Sequence, residues 1–173
     1  MKRRLPLLVL ATFLVAGSML SATHQATAQE LRPRFGLGFN ATLATTDGVL
    51  GLGVRGRISA PVNPDLSFAI DLGFTGFVLR GRDDATYVFD PQVSAIVTLN
   101  SEGNRSPYII GGIGAYVPFE EGAQDDGGPT LHGGFGWVQT LQSTTLFYEV
   151  DPALIIGKSS IDLVLPFRIG IIF

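Results

Sequence analysis

Three arginines, Arg55, Arg57 and Arg168, fall on the same expected face as the carboxylates Asp71, Glu149, Asp151 and Asp162, inside stretches whose alternate positions are apolar. Ionised groups placed away from bulk water need partners, so this set implies an interior salt-bridge network before it implies catalysis. Glu149 and Asp151 stand two residues apart, on one face of an extended chain, a spacing that suits acid/base work; no nucleophile accompanies them. His132 is the one histidine beyond residue 28. Paired with a serine or threonine it could act as the base of an activated hydroxyl, but a single histidine without ligand spacing does not make a metal site. The acidic run Glu120, Glu121, Asp125 and Asp126 lacks the spacing of a calcium-binding loop and reads as a solvated surface segment. Residues 51–56, Gly-Leu-Gly-Val-Arg-Gly, match a dinucleotide-binding glycine pattern, with Asp71 about twenty residues on. A helix should start within those glycines; instead the chain alternates and then meets Pro61 and Pro64.

The elements that must hold these groups are strands. In the last thirteen residues, Leu163, Leu165, Phe167, Ile169, Ile171 and Phe173 form one apolar face, while Asp162, Arg168 and Gly170 lie between them. Eight such segments are legible, at 34–44, 49–60, 66–78, 87–99, 108–117, 130–141, 146–156 and 161–173, each bounded by turn-forming residues. The fifth is the weakest, because Ile109, Ile110 and Ile113 spoil its alternation, and Pro91 points to an irregular end of the fourth. The pattern predicts an all-β, eight-stranded, antiparallel up-and-down transmembrane β-barrel. Spans of about ten residues cross the hydrocarbon layer when tilted, and an even count lets the first strand pair with the last. Lipid should face the bulky residues, while Gly, Arg, Asp and Glu line the lumen. A soluble lipocalin-like barrel would invert that facing. Tyr87, Tyr108, Tyr116, Trp137 and Phe173 are expected in aromatic girdles at the membrane surfaces.

Lys2, Arg3 and Arg4, the apolar stretch 5–20 and Ala26-Thr27-Ala28 have the form of a secretory signal peptide, so residues 1–28 are expected to be removed and 29–173 to form the barrel domain. Removal takes three of twelve basic residues and none of fifteen acidic ones, changing the net charge from −3 to −6. That balance, without a basic cluster, argues against a nucleic-acid partner. The chain has no cysteine, which excludes disulfides, thiolate zinc chemistry and lipid attachment at a cysteine.

Residues 107–114, Pro-Tyr-Ile-Ile-Gly-Gly-Ile-Gly, resemble the fifth-strand signature of small OmpA/OmpX-type outer-membrane barrels, and the closing run Arg168-Ile169-Gly170-Ile171-Ile172-Phe173 looks like the signal such proteins present to the barrel-assembly machinery. The resemblance implies a multi-pass outer-membrane protein, exported through its amino terminus and monomeric. Its implied partners are outer-membrane lipid and lipopolysaccharide, with periplasmic chaperones and the assembly machinery during biogenesis, and Phe173 is the candidate assembly residue. No peptidoglycan-binding domain is expected after the eighth strand, and the surface loops are expected to be short for an adhesin. No motif resembles the outer-membrane lipid A deacylases or palmitoyl transferases. The expectation is a non-enzymatic structural or surface-interaction protein, without cofactor, whose lumen is filled by a polar network drawn from Arg55, Arg57, Asp71, His132, Glu149, Asp151 and Arg168. A narrow conduit or binding protein for small or hydrophobic solutes, and a lipid-modifying enzyme, are the alternatives.

Overall fold

The structure, a computed structural model, describes residues 32–46, 48–78, 85–99, 104–119, 127–141, 144–158 and 160–173. The expected signal peptide at 1–28, the charged loop 80–84 and the acidic residues Glu120, Glu121, Asp125 and Asp126 lie outside them. The strands are β1 (Arg34–Ala44), β2 (Val49–Pro61), β3 (Leu66–Val78), β4 (Ala85–Thr98), β5 (Arg105–Pro118), β6 (Gly128–Leu141), β7 (Thr144–Val150), β8 (Ala153–Ile156) and β9 (Ile161–Ile172). Neighbours pair antiparallel, and β1 also pairs with β9, closing the sheet. At the seam Phe35 and Phe173 exchange backbone hydrogen bonds of 3.1 and 2.8 Å. Among the described residues no sheet edge is left for another chain to pair with.

The nine strands form eight staves, because β7 and β8 are one stave interrupted at Asp151 and Pro152. Pro152 carries no N–H and drops out of the ladder. The register continues through the break: Phe135 faces Val150 and His132 faces Ala153. The Gly133 N–H donates to the Pro152 carbonyl at 3.0 Å, and the Asp151 N–H donates to the Pro166 carbonyl at 3.1 Å. Pro91 has a milder effect. It lies inside β4, whose pairing with β5 runs from Phe89 opposite Val117 to Gln92 opposite Gly114 and skips the two residues between.

Following the register round the cylinder gives its dimensions. Arg34 pairs with Ser59, Ser59 with Ala69, Ala69 with Ser94, Ser94 with Gly112, Gly112 with His132, His132 with Ala153, Ala153 with Val164, and Val164 with Ala44. The path returns to β1 ten residues beyond its start, from 34 to 44. For eight staves that stagger gives a strand tilt of about 41° and a radius of about 8 Å. Strands of 11 to 14 residues then rise about 27–35 Å, enough to carry an apolar band of roughly 25 Å. The even stagger keeps the parity of in and out intact from stave to stave.

That parity decides between the membrane barrel and the lipocalin-like inversion. Phe39 is 70% exposed and Leu52 67%, whereas Asp71 and Asp151 are fully buried. Leu163, Phe167 and Ile171 point outward; Arg55 and Glu149 point inward. β5 obeys the same rule. Gly111 and Ala115 occupy outward positions beside Ile109 and Ile113, and Ile110 is the inward residue that obscured the pattern.

The expected aromatic girdles hold for three residues and fail for two. Outside, Tyr87 stacks on Phe74 at 5.7 Å and Trp137 meets Phe135 edge-on at 5.4 Å, while Phe173 is exposed. Tyr108 instead lies in the lumen, 3% exposed, because its even parity on β5 turns it inward toward a carboxylate. Tyr116 shares that parity and packs against the interior cluster of Ala153, Ile155 and Val164.

Candidate functional site

The lumen is stratified, and its polar chemistry is confined to the middle. Near the end where the termini lie, Phe147, Tyr108, Ile110 and Ala69 form a largely apolar floor. Near the opposite end, Phe77, Val88, Ile155 and Val164 form an apolar roof. Large inward side chains are accommodated by glycines on adjacent staves. A methyl on Gly170 would lie 2.5 Å from the Phe147 ring, and one on Gly136 would lie 2.6 Å from the Tyr108 hydroxyl. Inward glycines therefore mark where a bulky neighbour crosses the bore.

Between floor and roof lies a continuous charged layer to which β2, β3, β4, β5, β6, β7 and β9 contribute. Glu149 is its hub. Arg57 donates to both carboxylate oxygens, Nη1 to Oε2 at 3.0 Å and Nη2 to Oε1 at 3.1 Å. Arg168 Nη1 donates to Oε1 at 2.6 Å, and the Tyr108 hydroxyl donates to Oε2 at 2.8 Å. Arg57 Nε also holds Asp71 at 2.8 Å, and its guanidinium lies over the Phe147 ring at 5.2 Å. Arg168 reaches Asp151 at 2.5 Å and Gln92 at 3.2 Å. Arg55 donates to Gln92 at 3.1 Å, contacts Asp90, and stands 3.8 Å from Asp71. His132 Nδ1 bonds Asp151 at 3.0 Å.

The structure thus brings together Arg55, Arg57, Asp71, His132, Glu149, Asp151 and Arg168 in one connected set. Asp162 shares the parity but lies at the rim, where it accepts hydrogen bonds from Thr46 at 2.9 Å and Ser160 at 2.8 Å. Three participants were missed by sequence reasoning. Gln92 and Asp90 follow from counting back in twos from Ser94, a signal that Pro91 disguised. Tyr108 was hidden because a tyrosine near a strand end reads equally as a girdle residue. Phe173 is far from this layer, at the exposed seam.

Ser94, His132 and Asp151 have the connectivity of a nucleophile, a base and an orienting acid, with Ser94 Oγ 3.4 Å from His132 Nε2. Its surroundings oppose acyl transfer. Ser94 is 2% exposed, and the imidazole lies flat on the wall, where a methyl on Gly112 would come within 2.8 Å of Nε2. Asp151 is already committed to Arg168. A substrate carbonyl would have to displace the network to reach Ser94. Among the described residues no group of three or more His, Cys, Asp or Glu is arranged to hold a metal ion. The glycine pattern at 51–56 lies wholly within β2, paired on both sides, so no helix follows it to receive a phosphate.

No protein-family model matches the chain, and no curated protein matches it in sequence. Solved structures do. Neisserial surface protein A, NspA, superposes with a TM-score of 0.65 at 13% identity over 81% of this chain and 94% of that one. The N-terminal β-barrel domain of Pseudomonas aeruginosa OprF gives 0.53 at 12% identity, covering 81% of this chain and 97% of that one. Ail, the attachment invasion locus protein of Yersinia pestis, gives 0.51 at 13% identity, covering 82% and 97%. At these identities the likeness is one of fold: a closed eight-stranded antiparallel barrel of the outer-membrane type.

Proposed function

We propose, starting from the outer-membrane barrel fold that this chain shares, that the protein is a monomeric, non-enzymatic barrel of a Gram-negative outer membrane, structural in role and closed to solutes. The observation that carries this reading is the charged layer, which fills the bore from wall to wall between an apolar floor and an apolar roof. A conducting pore needs water along its axis. Here Arg168 crosses to Gln92 on the opposite stave and Arg57 crosses to Glu149. Eight staves leave room for side chains rather than a channel.

Location is supported by the outward apolar belt, whose lipid and lipopolysaccharide contacts need no specific groove. The connections at one end, residues 45–48, 79–84, 119–127 and 157–160, average longer than 62–65, 99–104 and 142–143 at the other, which supports reading the first set as the extracellular one. None exceeds nine residues. That leaves little surface beyond the membrane and favours a membrane-structural role over an adhesive one. Phe173 ends the seam strand with its ring exposed, where assembly machinery could grip it before closure.

Two measurements test this. Refolded protein in planar bilayers should give no resolved single-channel steps at moderate voltage; regular, stable openings would refute the closed bore. Cell fractionation with a heat-dependent gel shift should place the protein in the outer membrane, and recovery in the soluble periplasmic fraction would overturn the location.

A further inference from the structure

We infer that the lumen holds a buried binding site for one small monovalent cation, in the chamber between the charged layer and the roof. The chamber has a volume of about 20 Å³ and is lined by Thr42, Thr75, Thr130, Asp90 and Gln92, beneath Phe77, Val88 and Tyr116. A space of this size accommodates a single water-sized occupant. Its polar lining supplies oxygen from three hydroxyls and one carboxylate; the Gln92 oxygen is already engaged by Arg55 and Arg168.

Two of these groups lack partners. Asp90 binds Arg55 through Oδ2, but its buried Oδ1 has no hydrogen-bond partner, and neither does the Thr130 hydroxyl, on a residue 6% exposed. Buried acceptors left unmatched are costly, so an occupant that engages both is favoured. Asn40 donates to the Thr42 and Thr75 hydroxyl oxygens at 3.2 and 2.8 Å, fixing two further walls of the chamber.

Charge selects the occupant. The enclosed layer sets three guanidinium groups, Arg55, Arg57 and Arg168, against four carboxylates, Asp71, Asp90, Glu149 and Asp151, one negative group in excess. An uncompensated charge is expensive in this setting. A monovalent cation beside Asp90 cancels it. A divalent ion would overshoot, and such ions draw on more carboxylates than the one offered here.

The test uses the full barrel refolded in detergent, unfolded by urea at equal ionic strength in sodium, potassium, rubidium or choline chloride, and followed by its single tryptophan, Trp137. With a small cation at ten times its dissociation constant, the unfolding equilibrium constant should fall about tenfold relative to choline. Thr130→Val, which removes one lining hydroxyl but keeps the Arg55–Asp90 pair, should abolish most of that difference. Crystals grown in rubidium chloride should show an anomalous peak beside Asp90, absent in Thr130→Val. Equal stability in choline and the alkali salts, with non-anomalous density in the chamber, would overturn the proposal: the occupant would then be water.

Discussion

Replacing Glu149 by glutamine separates local pairing from overall charge balance. The change brings the enclosed layer from three positive and four negative groups to three of each, so a simple count predicts stabilisation. The hydrogen bonds predict the opposite. Oε1 accepts from Arg57 Nη2 and Arg168 Nη1, and Oε2 accepts from Arg57 Nη1 and the Tyr108 hydroxyl. Whichever oxygen becomes an NH₂ group, a donor is set against two donors, and neither flip of the amide relieves it. Two buried guanidinium groups lose their shared anion at the same time. Removing one partner from a buried ion pair costs about 3–5 kcal/mol. With a urea dependence of about 2 kcal/mol/M, the unfolding midpoint should fall by about 1.5–2.5 M. The lipid-facing Trp137 reports the transition without an added label, because it is the only tryptophan in the chain. A loss below about 1 kcal/mol would refute the argument, since only a water-filled, strongly screened bore would make the pairing that weak.

Three further outcomes follow from the same geometry. Tyr108→Phe keeps the ring in the floor but removes the hydroxyl that donates to Glu149, and should cost about 1.5–3 kcal/mol in the same urea titration. Gly51→Ala places a methyl 2.7 Å from the Phe77 ring and should destabilise by about 1–3 kcal/mol; Phe77→Leu in the same chain should restore much of the loss, measured as the temperature of the gel shift. Phe167→Arg puts a charge on the lipid face and should cost about 2–4 kcal/mol on folding into vesicles, whereas Phe167→Leu should leave folding yield unchanged.

Period-2 patterning made the fold legible because lipid and lumen impose opposite demands on neighbouring residues. β1 and β3 have the bounds expected from sequence, Arg34–Ala44 and Leu66–Val78. The seventh stave was less legible, since nothing in the apolar pattern reveals that Pro152 will break the ladder while leaving the register intact. Among the polar groups, Arg55, Arg57 and Glu149 stood out because charges interrupt apolar alternation visibly. Tyr108 and Gln92 did not, because tyrosine is at home on either face and glutamine in any loop. Which groups bond across the bore depends on the stagger of the closed sheet, and that quantity is a property of all eight pairings together.

The contacts across the bore join residues far apart along the chain: the ion pair Arg57–Glu149 spans 92 positions, and the hydrogen bond from Arg168 to Gln92 spans 76. In chain order Arg57 comes long before Glu149, and Arg168 lies on the strand that also seals the seam. Arg57 meets Asp71 within the β2–β3 hairpin, but it meets Glu149 only across the closed ring, so closure completes the pairing of that carboxylate. The charged layer thereby favours the closed ring over an open sheet, in which Arg57 and Glu149 would stand apart.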